Sequence, residues 1–211
     1  MFILVGLGNP GEEYENTRHN TGAMVLDVFR KTQDFPEWAL DTKRKALTSE
    51  GSVSSSQVTG QRSKVLLLQP QTFMNKSGES LKNLPLATKN LRQGKKKIKE
   101  IPNLVVLHDD LDIPFGKFKI SFDKSSGGHR GVESIIRTVK TRGFTRVRIG
   151  IAQSQAAVAK SQDDKTVEKI ILGKFTPDQI TTLKKMAKFI AEGLSVLITE
   201  GREKAMSQYH S

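Results

Sequence analysis

Cysteine is absent from the 211 residues, which removes disulfide scaffolds, thiolate metal sites and cysteine nucleophiles together and fits a reducing compartment. No apolar run approaches the roughly 18 residues of a membrane-spanning helix, so no spanning segment is expected. The first residues, Met-Phe-Ile-Leu-Val, run into Gly-Leu-Gly without a basic flank or a small-residue cleavage site, and read as a strand rather than a leader. A G-x-S-x-G nucleophile elbow is missing, as is the H-E-x-x-H zinc pattern. What remains, 36% hydrophobic and 27% charged, suits one soluble globular core.

Positive charge is plentiful. Lys and Arg number 34 against 22 Asp and Glu, a net charge of +12, and a field of that sign attracts polyanions. The excess is uneven. Residues 1–29 hold Glu12, Glu13, Glu15 and Asp27 against Arg18 alone, whereas residues 117–148 hold nine bases against Asp123 and Glu133. Charge by itself is equally compatible with a nucleic-acid partner and with a solubilising surface.

Apolar runs at 2–5, 65–68 and 104–107 read as buried strands, and alternation at 117–122 and 147–151 as strands with one polar face. Helical periods occupy 22–29, 75–84 and 132–139. The clearest element starts at Thr176, an N-cap before Pro177, and repeats Ile180, Leu183, Met186, Ala187, Ile190, Leu194 and Leu197. Strands alternating with helices predict an α/β fold, a single domain over 1–211 with a mixed sheet and helices on both faces. Residues 90–100, carrying Arg92, Lys95, Lys96, Lys97 and Lys99, read as a basic surface loop, and 153–165 as a polar one.

Gly6-Leu-Gly8-Asn-Pro-Gly11 matches the dinucleotide fingerprint in letters only. Pro10 has no N–H to offer a phosphate, and three glutamates follow. A rigid turn that presents the Asn9 carboxamide to a cleft is the better reading. His19, in Thr-Arg-His-Asn before Gly22, is a candidate general base. His108-Asp109-Asp110-Leu-Asp112 closes a strand. One aspartate there suffices to orient an imidazole, while a metal site on Asp109, Asp110 and Asp112 lacks ligand spacing of a known type. Asn75, after Phe73, reads equally as a helix cap and as a binding amide.

Gly8-Asn9-Pro10-Gly11-Glu-Glu-Tyr14, Thr17-Arg18-His19-Asn20, Pro70-Gln-Thr72-Phe73-Met74-Asn75, His108-Asp109-Asp110-Leu111-Asp112 and Gly127-Gly128-His129-Arg130-Gly131 together resemble the bacterial-type peptidyl-tRNA hydrolases. The resemblance implies hydrolysis of the ester between peptide and tRNA, recycling tRNA in translation. It makes His19 the catalytic base, Asp109 the residue that holds it, and Asn9 a discriminator of blocked peptides. Tyr14, Phe73 and Asn75 would bind substrate. No metal or organic cofactor is implied. Arg130 replaces the asparagine usual in Gly-Gly-His-Asn-Gly, and its guanidinium suits a phosphate. The basic quarter adds Lys117, Lys119 and Arg148 as a tRNA phosphate clamp.

The partner expected is thus peptidyl-tRNA, bound by a monomer with no membrane and no obligate protein partner. The location expected is the cytoplasm, or the mitochondrial matrix in a eukaryote. Two alternatives stand beside this: a non-catalytic RNA-binding member of the same fold, as in splicing factors, and a metal-dependent nuclease using Asp109, Asp110 and Asp112.

Overall fold

Three of the apolar runs become neighbours at the centre of one sheet. In the computed structural model, which describes residues 1–54, 62–93, 96–152 and 164–209, β1 (Phe2–Gly6) lies parallel between β4 (Arg62–Pro70) and β6 (Lys96–Pro114). β6 continues in parallel to β8 (Gly143–Ala152). The flanks are antiparallel. β3 (Ala46–Ser54) pairs with β4, β2 (Ala39–Asp41) with β3, and β7 (Phe118–Phe122) with β8. The order β2-β3-β4-β1-β6-β8-β7, with β5 (Lys89–Gln93) on the start of β6, makes this the mixed sheet that the alternating pattern predicts.

Helices cover both faces, because residues inside the sheet are apolar on both sides. On one face Val25, Leu26 and Phe29 of α1 (Thr21–Thr32) meet Leu4, Val105 and Leu107. There they also meet Leu183, Ile190 and Leu194 of a long C-terminal helix. On the other, Val132 and Ile135 of α2 (Arg130–Val139) meet Ile3, Val5 and Val106. Burial of each such side chain contributes about 1.5–3 kcal/mol. Two further helices, α3 (Asp164–Ile171) and the long α4 (Pro177–Glu200), precede α5 (Arg202–Gln208). Thr176 and Gln179 close a capping box at the start of α4, as the sequence signature predicts.

Several expectations are corrected. The segment expected to be a helix at 75–84 is a 3-10 helix, Met74–Leu81, whose Gly78 N–H is drawn away to Ser134 Oγ at 3.0 Å. Residues 90–93 and 96–100 are not a loop. They pair as the two antiparallel strands of a hairpin, with Leu91 opposite Ile98 and Arg92 opposite Lys97. Such a ribbon needs only backbone pairing and one covered face, here with Ile98 buried. Lys95 and residues 153–163 lie outside the described residues, and the Lys96 side chain is likewise not described. His108, Asp109 and Asp110 stay inside β6, where they pair with Arg148, Ile149 and Gly150.

Candidate active site

The carboxyl end of β6 meets the start of α1 with almost no space between backbones. A Cβ on Gly22 would run into the Leu107 carbonyl oxygen, so only glycine lets α1 approach this closely. The short turn before α1, Arg18–Asn20, therefore sits directly over Asp109. It is tied from the other side too: Arg18 N–H donates to Gly173 O at 3.0 Å, and its guanidinium donates to Lys174 O at 3.1 Å and Gln179 Oε1 at 3.2 Å.

That anchoring places His19 Nδ1 at 3.1 and 3.0 Å from the two Asp109 oxygens. His19 is 5% exposed and Asp109 3% exposed. The polar run around His19 suggests a more open residue; the ring is instead enclosed by polar partners. An ionised carboxylate only accepts, so Nδ1 carries the proton and Nε2 keeps the lone pair that a general base needs.

A second imidazole, to which sequence reasoning assigned no role, reaches the same carboxylate. His129 Nε2 donates to Asp109 Oδ1 at 2.8 Å, while its Nδ1 accepts from Gly131 N–H at 3.1 Å and Val132 N–H at 3.3 Å. His129 thus caps α2 and, with both nitrogens committed, has one tautomer. Gly127 and Gly128, at φ of +61° and +80°, turn the chain into that position. Two glycines before a histidine at a helix start were the available signal. Ser125 O, just upstream, accepts from the buried Arg146 guanidinium at 2.8 Å.

Burial acts to raise the Asp109 pKa, but the two imidazoles and their hydrogen bonds outweigh it and hold the carboxyl below the usual range. His108, fully buried beside it, donates Nδ1–H to the Asp109 carbonyl at 2.7 Å, and its Nε2 has no partner among the described residues. Burial pushes this imidazole well below its ordinary pKa, so it stays neutral.

His19, Asp109 and His129 open onto a cavity of about 480 Å³. Asn9 lines it. Its Oδ1 accepts from Met74 N–H at 2.8 Å, and its backbone is clamped by Asn20, so the Nδ2 donor is the group left for substrate. Asn75 lines it as well, exposed and without a side-chain bond to the helix end; Phe73 holds the cap position, and the cap reading of Asn75 falls. Tyr14 and Phe73 meet edge to face at 6.4 Å, with Phe73 58% exposed, an apolar platform at the rim. Arg130, exposed at the first turn of α2, lines the cavity too. Val167, Ile171 and Leu172, from α3 and just after it, supply a wall that no motif announced.

Lys117 lies just before β7 rather than on it, and is exposed. Lys119 is exposed directly opposite Arg148 on the β7–β8 pair. Arg148 is not free: its Nε donates to Asp110 Oδ2 at 2.7 Å. Asp110 Oδ1 also accepts from Asp112 N–H at 2.9 Å, so Asp109, Asp110 and Asp112 do not converge as one metal site. Among the described residues the group that could ligate an ion is His19, Asp109 and His129, with one ligand atom from each within 4.8 Å of the others. His19 Nδ1, both Asp109 oxygens and both His129 nitrogens are already hydrogen-bonded, so His129 would have to release Asp109 or its helix cap to bind an ion.

A family model for peptidyl-tRNA hydrolase matches residues 3–211. The chain belongs to the peptidyl-tRNA hydrolase family. The peptidyl-tRNA hydrolase of Carboxydothermus hydrogenoformans is 38% identical over 218 residues, covering 100% of this chain and 98% of that protein. That of Clostridium tetani is 34% identical over 212 residues, covering 100% and 98%. Among solved structures, the crystal structure of peptidyl-tRNA hydrolase from Acinetobacter baumannii superposes with a TM-score of 0.78 at 26% identity, over 99% of this chain and 93% of that one. Family and fold agree with the motifs: the peptidyl-tRNA hydrolase residues quoted from five segments meet around one cavity.

Proposed function

We propose that this protein hydrolyses the ester joining a peptide to the 3′ end of tRNA, with His19 as general base and water as nucleophile. The observation that carries the mechanism is the His19 Nδ1–Asp109 pair facing a cavity lined by the carboxamides of Asn9 and Asn75. His19 Nε2 takes a proton from water as the water oxygen attacks the ester carbonyl. Asp109 stabilises the imidazolium, which returns the proton to the departing ribose oxygen as the acyl–oxygen bond breaks. The products are a free peptide carboxylate and tRNA with its terminal hydroxyl restored. The Asn9 Nδ2 donor and the Asn75 amide orient the acyl group and steady the developing oxyanion.

Tyr14 and Phe73 offer aromatic surface to the peptide or the terminal base, and Arg130 supplies a cation where it can meet a terminal phosphate. Lys117, Lys119 and Arg148 hold phosphates further along the acceptor end. Such contacts carry little sequence information, which suits an enzyme that accepts many tRNAs. The reading includes a monomer without an obligate protein partner, working in the cytoplasm or in a mitochondrial matrix.

The test is release of peptide from an N-blocked aminoacyl-tRNA in the presence of EDTA, with the tRNA recovered intact. Peptide release with intact tRNA supports the reading. Cleavage of the RNA chain, or loss of turnover on chelation, would point to the metal-dependent nuclease. Tight tRNA binding without release would point to a non-catalytic RNA-binding role.

A further inference from the structure

The hairpin that replaces the expected basic loop lies far from the reactive carboxylate but on a face continuous with it. Lys99 stands ten residues before Asp109 on β6, about 30 Å along an extended strand. Ile101, two residues on in β6, packs with Val132, Ile135 and Val139 of α2, so Lys99 is on the α2 side of the sheet by alternation, beside a second cavity of about 370 Å³. Lys97 shares that side by strand alternation, and Arg92 is directly opposite Lys97. The Thr141 hydroxyl donates to the Lys99 carbonyl at 2.6 Å, joining the end of α2 to the hairpin.

The same face carries cations all the way back to the active site. Arg130 stands on the cavity rim. Arg137, seven residues on, lies on the same stripe of α2, and Lys140 and Arg142 follow at its end. Arg148 and Lys119 flank this stripe, because Arg146, two residues before Arg148, is in register with Val106, which packs under α2. Arg92, Lys97, Lys99, Arg130, Arg137 and Lys140 are all exposed, and none has a carboxylate partner among the described residues. Two acids interrupt the track: Glu133 on α2, and Asp123, which faces Arg142 at 3.9 Å. Unpaired cations spaced along about 30 Å match a polyanion with regularly spaced charge. They do not match a compact ligand.

We propose that the β5–β6 hairpin is a second RNA-backbone contact, gripping the duplex body of the tRNA through Arg92, Lys97 and Lys99 while the cavity holds its esterified end. This rests on peptidyl-tRNA being the substrate. Continuity with Arg130 favours the same RNA molecule at both sites over an unrelated one. At the shorter rise of A-form RNA, about 3 Å or slightly less per base step, 30 Å of duplex is roughly ten base pairs, within the length of a stacked tRNA arm. The contact is to phosphates, so it adds affinity for any tRNA and leaves the chemical step alone.

The experiment compares two substrates: an N-blocked aminoacyl-tRNA, and the same ester carried on the three terminal nucleotides only. The enzymes are wild type, the variant Arg92→Gln/Lys97→Gln/Lys99→Gln, and a control, Lys184→Gln/Lys185→Gln/Lys188→Gln. The control removes the same charge from exposed positions of α4, on the other side of the sheet.

In the hairpin variant the kcat/KM ratio of full tRNA to short ester should fall about tenfold through KM, and the salt slope of KM should drop by about 2 to 3. The control should keep the wild-type ratio and slope. Equal ratios in the hairpin variant and wild type would overturn the proposal. So would equal losses in the hairpin and control variants, which would show only an effect of net charge, or equal losses on both substrates, which would show only an effect on the fold. Wild type inactive on both substrates would instead sink the hydrolase reading, and this inference with it.

Discussion

The two ends of β6 treat charge in opposite ways. At the carboxyl end Asp109 is buried between two imidazoles with every oxygen engaged, and at the other end Lys97 and Lys99 are exposed, with no carboxylate partner among the described residues. A buried charge acts over a few ångströms in a low dielectric and demands fixed geometry. An exposed one is screened within about 8–10 Å at physiological salt and tolerates displacement. One strand therefore joins a site that can tell one bond from its neighbours to a surface that recognises only a polyanion. Substitutions at the buried end should act on kcat, and those on the exposed face on KM and its salt dependence.

The largest break should come from His19→Ala, which removes the base. We expect kcat on N-blocked aminoacyl-tRNA to fall about 100- to 10,000-fold with KM within a few-fold of wild type. Single-turnover rates measured beside tRNA affinity would check both halves. A KM effect larger than the kcat effect would erase the contrast between the two ends.

Lys119→Gln should do the reverse at far smaller cost. It should raise KM about threefold, leave kcat alone and reduce the salt slope of KM by about one, the loss of one phosphate contact. A titration of KM from low to high salt reads the slope directly.

His108 sharpens the comparison through stability. Its folded pKa lies below the unfolded value, so the unfolded chain takes up a proton that the folded one refuses. Stability from this group is fully present above the unfolded pKa of about 6.5, and is lost below it by about 1.4 kcal/mol per pH unit until the folded pKa is reached. Denaturant unfolding of His108→Phe should show a shallower decline below pH 6.5 than wild type, whatever its absolute stability. Parallel declines would mean that His108 contributes nothing to acid sensitivity.

Much of the buried end was legible in the sequence because it is made of rare residues in short motifs. Asn9, His19 and Asp109 are singled out by side-chain chemistry, and the central strands by unbroken apolar runs. The role of His129 was not legible, because its two bonds, one to a helix start and one to a strand 20 residues earlier, exist only after α2 docks. β3 was missed because Ala46–Ser54 is a half-solvated strand with few large apolar residues to mark it. The hairpin was misread as a loop because lysine-rich sequence resembles loop, whereas backbone pairing is indifferent to what projects from an open face. Asn75 was ambiguous until Phe73 was found at the cap position.

The central claim is that His19 and Asp109 act as one unit, and a double-mutant cycle tests it most directly. Asp109→Asn alone should lower kcat substantially, about 100-fold, because the carboxamide cannot stabilise the imidazolium. In His19→Ala/Asp109→Asn the second change should then cost almost nothing beyond His19→Ala, since the group it served is gone. If the two losses instead multiply, the aspartate acts on the reaction independently of the histidine, and the mechanism derived from their contact is wrong.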